Sequence, residues 1–168
     1  MTEAPPNRRD RTDAGERETL ESFLDDYRDI VVRKVSGLAD ADARRRLVTS
    51  ATTVGGLVKH LRWAEYGWFD QLLQERVDDN RRLHEREWEF EVAPEESLAT
   101  FVAEYRQQCA QSRLIAARYP LEHTVPHRRF GQVSLRWIYV HMIEETARHS
   151  GQLDILREQL DGATGFDG

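Results

Sequence analysis

Two ionisable side chains, Glu145 and His149, fall in the middle of an apolar stripe that runs Leu135, Ile138, Met142, Glu145, His149, Leu153, Leu156, Leu160. Its steps of three and four residues are the period of one helix face. A carboxylate and an imidazole one turn apart on a core-facing stripe are costly to bury unless something pairs with them. A divalent metal ion would pair with both, because histidine nitrogen and carboxylate oxygen together make a common ligand set for zinc and iron. A third ligand must then come from another element. His60, at the edge of the apolar stripe that carries Leu57, Leu61 and Trp68, is the first candidate, and His141, four residues before Glu145, is its rival. His84, His123 and His127 fall in stretches that read as loop. The plainer reading stands beside this one. Helices often carry Glu and His four apart, a histidine on an apolar face is commonly a satisfied core residue, and Glu145 could pair with an arginine.

Four helical segments can position these residues. The first covers about residues 15–38, with Leu20, Phe23, Leu24, Tyr27, Ile30, Val31 and Val35 on one face. The second covers 54–74, with Val54, Leu57, Val58, Leu61, Trp68, Phe69 and Leu72 as its stripe and Thr53 as its cap. Gly55 and Gly56 in its first turn allow a neighbour to come close. The third covers 94–118: Pro94 followed by Glu95 and Glu96 suits a helix start, and Leu98, Phe101, Val102, Tyr105 and Cys109 form the buried face. The fourth runs from a Ser134 cap to Leu160 and stops at Asp161-Gly162. Each is about 30 Å long and can bury one stripe in a shared core. The expected fold is therefore all-α, a four-helix bundle with long connections over residues 15–162, with a disordered arm at 1–14 and a flexible tail at 163–168.

The connections are expected to be irregular, apart from a short helix near 41–47. Residues 119–133, with Pro120, Pro126 and Gly131, read as loop. In 77–93, Trp88, Phe90 and Val92 alternate with Glu87, Glu89 and Glu91, which predicts an extended segment. Its apolar side must lie against the chain's own bundle or against a second copy, so a homodimer is one of two expectations.

Composition narrows the function classes. The chain has 168 residues and a formal net charge of −6, with 22 arginines, 2 lysines and no basic run. Neither nucleic acid nor an anionic membrane surface is an expected partner. No apolar run reaches the length of a membrane span, and the polar N-terminus lacks the apolar core of a signal peptide. One cysteine, Cys109, excludes an internal disulfide and fits a cytoplasmic protein; its place on a helical stripe reads as a small buried hydrophobe.

Thr53-Val54-Gly55-Gly56-Leu57-Val58-Lys59-His60-Leu61, Ser134-Leu135-Arg136-Trp137 and the run from His141 through Glu145 to His149-Ser150-Gly151 resemble the DinB-like superfamily of four-helix metal-binding proteins. More closely, it resembles the branch of uncharacterised proteins related to a mini-circle element protein. The resemblance spans about residues 18–162. It implies one histidine from the second helix and a pair four apart on the last, which map to His60, Glu145 and His149. Many members have histidine where this chain has Glu145; a glutamate version is seen in mycothiol-dependent maleylpyruvate isomerase. The resemblance implies a divalent metal (Zn, Ni or Fe) and a small-molecule thiol such as mycothiol. The expected activity is S-transfer to an electrophile or thiol-assisted isomerisation. The alternative is a non-catalytic metal-binding stress or interaction module.

Overall fold

In the computed structural model, which describes residues 12–76 and 88–164, all four periodic segments are helical. They are α1 (Glu16–Val35), α3 (Val54–Glu65), α4 (Leu98–Ala116) and α5 (Leu135–Asp161), with a one-turn helix, α2 (Asp40–Ala43), after the first. α1 lies along α5, α3 lies along α4, and α3 also meets α5, which gives the predicted all-α bundle. No helix among the described residues is long and apolar enough to cross a membrane. The expected arm and tail lie mostly outside the described residues, and His84 lies wholly outside them.

Local chemistry sets the helix ends. Thr53 Oγ1 accepts from the Gly56 amide at 3.0 Å, and Ser134 Oγ accepts from the Trp137 amide at 3.2 Å. Gly162 closes α5 in the left-handed conformation, φ +78°. α4 departs from expectation by starting at Leu98 rather than Pro94. Ser97 caps it, accepting from the Thr100 amide at 3.1 Å, and a serine cap satisfies an amide that Pro94 could only avoid wasting. Glu96 instead accepts from the Ala93 amide at 2.8 Å and from Lys59 Nζ at 3.1 Å.

Two other segments correct the sequence reading. Residues 124–134, most of which were expected as loop, form an antiparallel hairpin, β1 (Thr124–His127) and β2 (Gly131–Ser134), paired from Thr124 with Ser134 to His127 with Gly131. Pro126 is tolerated because both strands of a two-stranded sheet are edges. The second helix is not α-helical throughout: beyond Glu65 it continues as a π-helix, Tyr66–Leu72. The wider turn moves Phe69 and Leu73 into the core and leaves Trp68 and Leu72 only partly buried.

Residues 77–87 of the expected extended segment lie outside the described residues, and Trp88–Phe90 form a single turn of 3₁₀-helix rather than a strand. This strap lies over the start of α3. The Phe90 ring stacks on His60 at 4.5 Å between centroids, and Trp88 meets Trp63 at 5.3 Å. Phe90 and Val92 pack against the core of their own bundle, the first of the two expectations for this face. The strap depends on Gly56, where any Cβ would collide with the Phe90 carbonyl oxygen. We expect Gly56→Ala to destabilise the fold by about 1–3 kcal/mol through backbone displacement. An unchanged Tm would show that the strap moves freely.

The core has two apolar halves. Leu24, Phe69, Ile115 and Met142 belong to one, and Val31, Leu61, Phe101 and Leu153 to the other. Between them the helices contribute buried polar residues: Arg28, Glu65, Ser112, Thr146 and Ser150. Arg28 grips Glu65 with two parallel bonds, Nε to Oε1 at 2.8 Å and Nη2 to Oε2 at 2.6 Å. Thr146 and Ser150 donate back to the carbonyls of Met142 and Thr146. Glu145 and His149 come from the same turns of α5.

Candidate metal centre

His60, Glu145 and His149 converge, each offering one ligand atom, and the three atoms lie within 4.8 Å of one another. Glu145 Oε1 is 3.0 Å from His60 Nε2 and 3.3 Å from His149 Nε2. The two rings meet edge to face, 4.9 Å between centroids. Ligand atoms about 2.1 Å from a tetrahedral ion sit about 3.4 Å apart, so the spacing has the scale of a metal site. His141, the rival third ligand, is not in this group. Its ring packs against Trp68 and Trp137, and burial pulls its pKa below the usual histidine value.

The outer ring nitrogens show why the donor set suits a cation. His60 Nδ1 is 2.8 Å from Glu89 Oε2, and His149 Nδ1 is 2.7 Å from Gln152 Oε1. Both partners are acceptors, so both Nδ1 atoms carry the proton. Each Nε2 of a neutral ring then turns a lone pair toward the Glu145 carboxylate. Three electron-rich atoms face one another unless positive charge lies among them, supplied either by extra protons on the rings or by a cation. Histidine ligands that donate their other nitrogen to a carboxylate or carbonyl oxygen are the usual arrangement around protein-bound metals.

The same contacts shift the pKa values of Glu145 and His60. Hydrogen bonds from His149 and His60 hold the Glu145 carboxyl well below the usual carboxylate range, although burial opposes them. Burial lowers the His60 pKa, but bonds to Glu145 and Glu89 outweigh it and leave the pKa raised. Phe90 covers one face of His60 and limits its access to water.

Glu89 and Gln152 escaped the sequence reading. Glu89 looked like one of three solvated acids on a strand, and only the 3₁₀ turn brings it inward. Gln152 could have been found, since it lies three residues after His149 on the same helix face. We expect Glu89→Gln to weaken metal affinity roughly 10–100-fold while leaving the helices intact, the usual effect of losing such a partner. Equal affinity by competitive titration would show that Glu89 does not orient His60.

The other candidates lie elsewhere. His123 packs on Tyr119, and His127 stacks on Trp68 and Phe130. Cys109 is buried as expected, and burial drives its thiol pKa far above the ordinary value, so it is no nucleophile at neutral pH.

No curated protein matches the chain. A family model, Mycothiol-S-transferase, matches residues 19–162, from the first turn of α1 to the glycine that ends α5, and so takes in the bundle and all three converging residues. Over that span the chain belongs to the mycothiol S-transferase family, one of the DinB-like families.

Proposed function

We propose that this protein transfers a small thiol, mycothiol or a close relative, to an electrophile, using a divalent ion held by His60, Glu145 and His149. The observation that carries this reading is the convergence of two Nε2 atoms and one carboxylate oxygen with both Nδ1 atoms already engaged, in a chain of this family. Two neutral imidazoles and one carboxylate leave a divalent ion with a net charge near +1 and with open positions, the mark of a catalytic site. Zinc, nickel and iron(II) all suit such donors. When bound, the ion would keep the thiol as thiolate below the roughly 8.5 of a free thiol.

The chain's own residues supply the rest. Glu89 and Gln152 fix the ring tautomers. Glu145 sets the charge of the site, and Phe90 shields it on the α3 side. In transfer, the thiol sulfur forms a bond to an electrophilic carbon. The leaving group departs with its electron pair or, in an addition, the displaced pair takes up the proton the thiol gave up. The reaction needs no oxidant or reductant, which suits the cytoplasm, where small thiols are kept reduced.

The test compares metal-loaded protein with mycothiol, with other small thiols and with no thiol, alongside the metal content of protein purified without chelating resin. Turnover should require both thiol and metal. Turnover indifferent to thiol would overturn thiol transfer and point to activated water.

A further inference from the structure

Five rings from three separate elements meet beside the candidate centre. Trp68 comes from the π-helix, His127 and Phe130 from the hairpin, and Trp137 and His141 from α5. They form one continuous cluster. Trp68 stacks on His127 at 5.4 Å with 7° between planes and meets His141 at 4.5 Å. Trp137 stacks on His141 at 5.1 Å, and Phe130 closes the cluster at 5.1 Å from Trp137. Rings that serve only as core lie buried, yet Phe130 is 48% exposed and Trp137 36%. The cluster ends one turn of α5 short of the centre. His141 lies one helical turn before Glu145, about 6 Å along the axis, and its ring feels the charge of that carboxylate.

We propose that this aromatic shelf binds the electrophilic cosubstrate, and that the cosubstrate is planar and conjugated, an electron-poor aromatic or quinone-like ring. This rests on the thiol-transfer reading. Flat rings at 4.5–5.4 Å spacing, with Phe130 and Trp137 as the exposed apolar members, offer offset stacking to another flat ring. A polyhydroxylated thiol would leave its hydroxyls without partners on Phe130 and Trp137. Arg129, with its guanidinium 5.3 Å from the Phe130 ring centre, is placed to meet oxygen substituents of an electron-poor ring. On a quinone-like substrate the sulfur bonds to a ring carbon. The π pair shifts to the carbonyl oxygen, which takes up the proton released by the thiol.

Two experiments separate the shelf from the thiol-transfer reading. In equilibrium dialysis without thiol, wild type should bind 1,3-dinitrobenzene, and Trp137→Leu with Phe130→Leu should weaken binding about tenfold. Both rings are partly exposed, so leucine keeps the fold; circular dichroism and unchanged metal content check this. In the transfer assay, the double variant should raise KM for 1-chloro-2,4-dinitrobenzene about tenfold and leave KM for iodoacetamide and for mycothiol unchanged. Equal dialysis affinities, no binding by wild type, or a KM change for mycothiol alone would each overturn the shelf. Probe binding that the substitutions weaken, in a protein with no thiol-dependent turnover, would support the shelf and overturn thiol transfer alone.

Discussion

His149→Ala should abolish metal binding and thiol transfer while the helices survive. The ring lies in the seam of the bundle with its side chain 11% exposed, Nε2 toward Glu145 and Nδ1 on Gln152. Removing it would leave two of the three proposed ligands, and two donors seldom hold a divalent ion against water. The loss should exceed the roughly 10–100-fold of an outer partner. Stability should change far less, because the two apolar halves of the core do not depend on this ring and its removal also ends an awkward burial. A cost of about 1–2 kcal/mol is expected. Metal per chain and far-UV circular dichroism together give the answer. Wild-type stoichiometry in the variant would show that His149 fills space and nothing more.

Glu65→Leu should lower stability by about 3–5 kcal/mol, the cost of leaving a buried charge without its partner. Arg28 is 4% exposed and Glu65 fully buried, and their forked pair has bonds of 2.8 and 2.6 Å. Asp25, 2.7 Å from Arg28 Nη1, keeps only part of the charge satisfied. A loss of this size should lower Tm by roughly 6–20 °C in a chain of this length. Combining Glu65→Leu with Arg28→Met should recover most of it, since replacing both charges by apolar groups of similar volume is often neutral or better. If the single variant melts within a degree or two of wild type, the pair contributes little to the fold.

What the sequence reveals and conceals follows from the range of the interactions. The caps at Thr53 and Ser134 and the stop at Gly162 could be read directly, because a cap is chemistry within three residues. The stripe of α5, with Glu145 and His149 in it, was equally plain from its period. His60 and His141 could not be separated that way, since His60 lies at the edge of its stripe and His141 shares the face of Glu145 one turn earlier. What separates them is long-range: the hairpin and Trp68 draw His141 into an aromatic cluster, while the strap seats Phe90 and Glu89 on His60. The hairpin was concealed by Pro126, which argues against a strand except at an edge. The π-helix was concealed because a search at 3.6 residues per turn cannot register one wider turn, and so Trp68 was assigned to the core. The 3₁₀ turn at Trp88–Phe90 was concealed by alternation that is genuine in the sequence but is not used as a strand.

The polar seam between the two halves of the core bears on how the protein opens. Its two storeys share four helices but are separately packed, so each can loosen as its own cooperative unit, and amide hydrogen exchange would resolve them as two groups of protection. α3 and α5 cross the seam where His60, Glu145 and His149 meet. A cation gripped there would act as a cross-tie, adding its binding free energy to any opening that parts those helices and leaving the fraying of either end untouched. The three converging residues would then also decide whether the bundle breathes as two bodies or as one.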